Sequence, residues 1–341
     1  MTLLNKLKNQ PEIQANITAV GKYVPEKIVT NYDLEKILDT NNDWIVSRTG
    51  IKERRQVSNG KASVYMATEA IKDIIKNKNL DPKEIDAIIV ATITPDMFFP
   101  STAALVQNAI DAKNAWAFDL SAACSGYIFS LETAAGLIAS GKHQKILVIG
   151  ADTMSSVIDY EDRSTCVLFG DGAGASLVQA TNGEYGIMDS ILYTDGSGAN
   201  KLYIPGGGSH QPTSKKTVDQ RLHYVKQDGR EVYKSAVRGM VDASEIILKK
   251  NGLSAKDLKL FIPHQANKRI IEASAKRLGL NKDQVLVNIE KVANTTAGTI
   301  PIGLSEAVLN KRLEKGDLLL LSAFGAGFTW GAMLIRWGKC I

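Results

Sequence analysis

Three residues combine a reactive side chain with a setting that could use it: Cys124, His264 and Asn294. Cys124 lies in Phe118-Asp119-Leu120-Ser121-Ala122-Ala123-Cys124-Ser125-Gly126. The apolar run 115–120 reads as a short buried strand. Residues 127–140, apolar nearly all round and closed by Gly141, read as a buried helix with a left-handed cap. A thiol at that junction meets unpaired N–H groups and the positive end of the helix dipole, which favour a thiolate and so a nucleophile. Small flanking residues let a backbone or a substrate come close. The same surroundings would also suit a cysteine that only packs. His264 ends the apolar strand Phe261-Ile262-Pro263, and Asn294 sits in Val292-Ala293-Asn294-Thr295-Thr296-Ala297-Gly298. Alone, the first could be a satisfied core histidine and the second an Asx-turn or a helix cap.

The chain must bring these three together, and composition says what kind of chain it is. Its 341 residues can form a large core and two packed halves, and 44% hydrophobic with 23% charged residues is the balance of a globular protein. No apolar run reaches the length of a membrane span, and the polar first fourteen residues lack the core of a signal peptide, so a cytoplasmic protein is expected. Three scattered cysteines (Cys124, Cys166 and Cys340) give neither a disulfide framework nor metal-ligand spacing. A net charge of +5 without a concentrated basic stripe argues against a nucleic-acid partner.

Along the chain, residues 1–16 read as an extension and 17–21 as a first strand. Asn31 is placed to cap a helix over 32–38. Apolar positions at helical spacing mark 63–77, and Asp81-Pro82 breaks the chain before a buried strand over 85–92. A helix over 101–110 and a strand over 145–150 flank the cysteine segment. Phe169-Gly170-Asp171-Gly172-Ala173-Gly174-Ala175 matches no nucleotide-binding glycine pattern and reads as a tight turn between strands. Residues 195–221 form one long irregular region of the kind used as a lid or binding segment.

The pattern then repeats. Residues 74–85 resemble 247–258 with an offset of 253 − 80 = 173 at the shared leucine, and the strands ending at Gly150 and Gly325 stand 325 − 150 = 175 apart. A near-constant offset points to two copies of one α/β unit, since surface loops drift freely in length. The halves are expected at 17–190 and 191–341, each with alternating strands and helices around a mixed sheet. The small-residue helices after Cys124 and over 299–309 would form a buried pair in the middle. Under the duplication Asp119 corresponds to Asn294, and the strand ending near Ala91 to the one ending at His264. The nucleophile, the imidazole and the amide then lie at strand ends facing one side, where α/β sheets place ligands.

The cysteine segment, His264-Gln265-Ala266-Asn267, and Asn294-Thr295 before a small-residue helix resemble the three signatures of β-ketoacyl-acyl-carrier-protein synthase III. The likeness spans about residues 17–337, including Asp43-Trp44-Ile45-Val46-Ser47-Arg48-Thr49-Gly50-Ile51 and Phe324-Gly325-Ala326-Gly327-Phe328-Thr329-Trp330-Gly331. It implies an α/β fold of the duplicated thiolase type, two mixed sheets with a buried helix pair between them, in αβαβα layers. It also implies that Cys124 takes an acyl group from acyl-CoA, with its own N–H and that of Ala326 as oxyanion hole. Malonyl-acyl carrier protein would then lose carbon dioxide, with neutral His264 and the Asn294 amide as donors to the enolate. Neither a metal nor a redox cofactor is implied.

The resemblance further implies that Trp44 and Arg163 hold the adenine of CoA, that Arg48 meets its phosphates, and that Asn267 and Gly229 line the pantetheine tunnel. Lys268 and Arg269 would contact the acidic carrier protein. Phe99 would reach the acyl pocket of a partner in a homodimer. Ala326 stands where the family often has glycine, which matters only if the position needs a positive φ. Two other readings remain: a same-fold synthase or acyltransferase of secondary metabolism using a different acyl-CoA primer, and a non-catalytic partner of a synthase complex. The last would be expected to have lost the nucleophile.

Overall fold

The structure, a computed structural model, describes residues 13–340. In chain order it begins β1 (Ile13–Tyr23), β2 (Lys27–Thr30), α1 (Asn31–Glu35), α2 (Asn42–Thr49), β3 (Glu53–Gln56) and α3 (Ser63–Lys78). There follow β4 (Ala87–Ala91), α4 (Thr102–Ala109), β5 (Trp116–Leu120), α5 (Gly126–Ala139), β6 (Lys145–Asp152) and β7 (Gly172–Asn182). The second half runs β8 (Gly186–Thr194), β9 (Leu202–Tyr203), α6 (Lys215–Asp219), β10 (Lys226–Gln227), α7 (Gly229–Lys250), β11 (Leu260–Pro263) and α8 (Lys268–Leu278). It ends α9 (Ile289–Val292), α10 (Thr299–Leu309), β12 (Leu318–Gly325) and β13 (Thr329–Arg336).

Two mixed sheets carry the halves, ordered β1-β7-β6-β4-β5 and β8-β13-β12-β11. The neighbours β4–β5, β4–β6 and β11–β12 are parallel, and the rest antiparallel. Strand for strand, β1, β7, β6 and β4 answer β8, β13, β12 and β11, so the repeat read from the sequence is real in the fold. The counterpart of β5 has shrunk to one bridge, Phe261 with Val285. Buried Gln265 bridges that gap: its amide donates to the carbonyls of Pro263 (2.8 Å) and Leu286 (3.2 Å) and accepts from the Asn288 N–H.

Two boundaries differ from expectation. Ile13–Asn16 are not an extension but the first rungs of β1, paired with Asn182–Gln179 of β7, and residues 1–12 lie outside the described residues. A division at 190/191 cuts through β8, which pairs with β13 and so belongs wholly to the second sheet. The first helix begins at Asn31 itself, because Thr30 is the cap in a reciprocal pair with Asp33. The Asn31 side chain is instead buried and accepts from Arg54, which also donates to Val29 and Val167. Burial pushes the Arg54 guanidinium down to about 10.

Between the sheets lie α5 and α10, each touching both. That explains why neither shows a polar face: a helix packed on two sides has no solvent side to mark. Ile128, Leu131, Ile300 and Leu304 share one core with Ile89, Val148, Ile262 and Leu321. The helices α3 and α4 cover the outer face of the first sheet and α7 that of the second, with α8 packed on α7 and its Leu278 sharing a core with Phe261 and Leu320. No helix among the described residues is long and apolar enough to cross a membrane.

The glycine-rich segment after Phe169 is not a turn. Gly172 and Gly174 open β7, and their bareness admits α10. A Cβ on Gly174 would stand 2.6 Å from the Ile302 nitrogen and the Pro301 carbonyl carbon, both backbone atoms that cannot move aside alone. Gly174→Ala should therefore destabilise the fold by roughly 1–3 kcal/mol, seen as a lower denaturation midpoint. An unchanged midpoint would contradict this account of the packing.

Candidate active site

Cys124 stands in the single turn Ala123–Ser125 between β5 and α5. Ala123 holds a φ of 47°, a conformation that costs a non-glycine residue energy and persists only where surroundings enforce it. The enforcement comes from the other half. The Ser125 hydroxyl donates to the Thr329 carbonyl (3.0 Å), and the Thr329 hydroxyl donates to the Ala122 carbonyl (2.9 Å). Gly325 packs so tightly that a Cβ there would lie 2.7 Å from the Cys124 nitrogen. Ala326 follows at the end of β12 and is absent from the residues with positive φ, so alanine is unstrained where the family often has glycine.

The thiol does not rest as the expected thiolate. Burial, and then the charge of Asp152, push it up to about 12, against its own backbone N–H, which pulls down. Cys124 is therefore a buried thiol that must lose its proton as it attacks. Asp152, at the end of β6, is also buried. It accepts from the hydroxyls of Thr92, Thr94 and Thr296 and from the N–H groups of Ile93, Thr94 and Ala297. One carboxylate thus ties the ends of β4 and β6 to the segment just after Asn294.

His264 follows β11, its N–H donating to the Ser322 carbonyl at 2.8 Å. The ring is 1% exposed, and burial pushes it down to about 3, so it is neutral at any working pH. Its Nδ1 lies 2.7 Å from the Thr299 hydroxyl at the start of α10. Asn294 is held across the halves: its N–H donates to the Leu168 carbonyl and its own carbonyl accepts from Gly170. Its side-chain oxygen accepts from the Thr296 N–H at 2.8 Å, which leaves the amide NH2, a pure donor, as its free end. The preceding Ala293 has a φ of 56°, the same kind of strained approach as before Cys124.

All three side chains line one cavity of about 590 Å³. A second, apolar cavity of about 210 Å³ is also lined by Cys124, together with Ala326, Ile93, Leu202, Ile204 and Val225. Cys124 thus borders both a large cleft and a small greasy chamber. That geometry allows a long substrate to enter through the cleft and leave a short apolar group in the chamber.

Trp44, Arg48, Gly229 and Asn267 line the large cavity as well. Arg163 lies over the Trp44 ring at 5.2 Å, with its guanidinium donating to the Asp39 carbonyl. Asn267 caps α8 and donates to the Arg48 carbonyl at 3.1 Å, so its side chain joins α8 to α2. Lys268 and Arg269 part company. Arg269 faces the cavity mouth over Tyr233, whereas the Lys268 stem lies on Gly50 and its charge near Glu290. Phe99 lines neither cavity; with Phe98 it is almost fully exposed, at 86% and 84%. Cys166 packs in the core around Leu34 and Ile45, and Cys340 packs against the main core.

Sequence reasoning missed Thr299 and Asp152. The signal for Asp152 was present, a carboxylate closing an otherwise apolar strand, but Thr299 looked like one more small helix residue. The chamber walls include Leu202, Ile204 and Val225, in and just beyond the long irregular region expected to act as a lid or binding segment.

Models of the family "3-Oxoacyl-[acyl-carrier-protein (ACP)] synthase III" match residues 118–196, and those of its C-terminal part match 248–337. A β-ketoacyl-[acyl-carrier-protein] synthase III of Chlorobaculum tepidum is 52% identical over 95% of this chain and 100% of its own length. One from Koribacter versatilis is also 52% identical, over 95% of this chain and 98% of its own. Among solved structures, 3-oxoacyl-[acyl-carrier-protein] synthase III of Aquifex aeolicus superposes with a TM-score of 0.88 at 46% identity, covering 95% of this chain and 100% of that one. The Thermus thermophilus enzyme gives 0.89 at 43%, covering 95% and 99%.

Proposed function

Because the chain belongs to the β-ketoacyl-[acyl-carrier-protein] synthase III family, we propose that Cys124, His264 and Asn294 carry out its reaction. The protein is an acyltransferase, the condensing enzyme that starts fatty acid synthesis. The observation that carries the assignment is that a thiol, a neutral imidazole and a free amide donor converge on one cavity.

The Cys124 sulfur attacks the thioester carbon of acyl-CoA. The oxygen gains charge facing the N–H groups of Cys124 and Ala326, and CoA leaves as a thiol with the proton Cys124 gave up. The acyl tail then lies in the apolar chamber. Malonyl-acyl carrier protein enters by the cleft and loses carbon dioxide, so that its thioester oxygen becomes enolate-like. His264 and Asn294 hydrogen-bond that oxygen, and their neutrality suits them to donate without transferring a full charge. The new carbanion attacks the acyl carbon, releasing 3-oxoacyl-acyl carrier protein and the sulfur, which takes a proton.

CoA is held by Trp44 and Arg163 at the adenine, Arg48 at the phosphates, and Gly229 and Asn267 along the pantetheine. Arg269 serves the carrier protein; Lys268 contributes charge from farther off. No cofactor takes part. A homodimer is supported by the apolar edge strand β5 and by exposed Phe98 and Phe99, with Phe99 meeting the partner's chamber. The setting is cytoplasmic, where CoA thioesters are.

The chamber of about 210 Å³ far exceeds the ~30 Å³ share of one water molecule, which favours primers of several carbons as well as acetyl. Incubation with malonyl-acyl carrier protein and acetyl-, butyryl- or hexanoyl-CoA in turn should release carbon dioxide and CoA and give the matching 3-oxoacyl product. If none of them condenses, the reading fails; if acetyl-CoA alone does, the chamber is shorter in the working enzyme than its volume suggests.

A further inference from the structure

His264 can serve the enolate only if the nitrogen facing the cavity carries the proton, and the ring has just one proton to place. The Thr299 hydroxyl, also buried, has two acceptors in reach: the His264 Nδ1 at 2.7 Å and the Thr296 carbonyl at 3.1 Å. That carbonyl also accepts the Thr299 backbone N–H, so it keeps a partner when the hydroxyl proton turns to Nδ1. Nδ1 has no other partner among the described residues, and the distance to it is the shorter of the two. We propose that Thr299 is a positioning residue: its hydroxyl donates to Nδ1 and so fixes His264 as the tautomer with the proton on Nε2.

The consequence is specific to one half-reaction. A ring protonated at Nδ1 would turn a lone pair toward the enolate oxygen and repel it. With the Nε2–H tautomer fixed, the donor is in place before malonyl thioester arrives and needs no reorganisation during decarboxylation. Acylation of Cys124 relies on backbone donors and asks nothing of this proton. Thr299 reaches His264 from the first residue of α10, directly after the turn Thr296–Gly298 that Asp152 holds and that donates to the Asn294 side chain, so the ring and the amide are positioned by adjoining segments. This inference rests on the assignment of the decarboxylating role to His264.

The test uses the full chain, with Thr299→Val and Thr299→Ser. In the 15N spectrum of histidine-labelled protein, with His264→Ala to identify the signals, wild type should show a protonated Nε2 and a bare, hydrogen-bonded Nδ1. Thr299→Val should lose the Nδ1 hydrogen-bond shift. It should also slow malonyl-acyl carrier protein decarboxylation about 10- to 100-fold, with acylation of Cys124 within a few-fold of wild type. Thr299→Ser, which keeps the hydroxyl, should restore both readouts. A wild-type ring protonated at Nδ1 would overturn the proposal. So would equal loss of the two half-reactions in Thr299→Val, or failure of serine to rescue a folded protein. The spectrum is read without substrate, so it stands even if wild type shows no condensation, an outcome that would instead strike the proposed function.

Discussion

Cys124→Ala should lose acylation by acyl-CoA altogether and slow condensation at least ~10³-fold, while the fold and malonyl decarboxylation persist. The first part follows from chemistry: without the sulfur there is no covalent carrier for the primer, and no other thiol lines either cavity. The second follows from geometry. The proposed donors to the enolate, His264 and Asn294, are held by Thr299 and Thr296 and not by the sulfur. Stability should change little, since removing one small buried atom leaves a small void beside an existing cavity. The check is to measure the two half-reactions separately. Continued labelling by acyl-CoA in this variant would remove Cys124 from its role.

Asn294→Ala gives the second large effect. In the proposed reaction it deletes a donor aimed at charge that appears only in the decarboxylation transition state, and loss of one such donor typically costs about 10²- to 10³-fold. Acylation should stay within a few-fold, because the oxyanion of that step is assigned to the N–H groups of Cys124 and Ala326 in the proposed reaction. The backbone contacts of residue 294 to Leu168 and Gly170 do not depend on its side chain, so the junction between halves should survive. Release of carbon dioxide from malonyl-acyl carrier protein, set against the rate of acyl-Cys124 formation, separates the steps. Equal loss in both would mean that Asn294 supports the site as a whole and not one oxygen.

Much of this site could be read from the chain because duplication leaves a ruler in the sequence. Offsets near 175 set Asn294 opposite Asp119 and His264 opposite the end of β4; the sheets bear out the second pairing, β4 with β11, whereas Asn294 lies outside the second sheet and bridges Phe169. Other features depend on contacts that no local pattern encodes. The glycines after Phe169 read as a turn because their partner, the start of α10, lies more than 120 residues away. Asn31 looked like a cap, and the neighbouring Thr30 took that place because Asp33 completes its reciprocal bonds and Arg54 needs the asparagine. Thiolate character was expected from the helix terminus; burial and then Asp152 push the thiol the other way, and neither is visible at Cys124 in the sequence. Lys268 and Arg269 are adjacent in the chain, but successive helix residues point about 100° apart, and only Arg269 reaches the cavity.

The central proposition is that one sulfur first takes the acyl group and then surrenders it to a carbanion made beside it. Mass spectrometry of the peptide bearing Cys124 tests this most directly, after acetyl-CoA and again after malonyl-acyl carrier protein. The prediction is one acetyl group on Cys124 in the first sample and a bare thiol in the second, with carbon dioxide released in step with its disappearance. An acetyl group on any other residue, or one that stays on Cys124 while product accumulates, would contradict it.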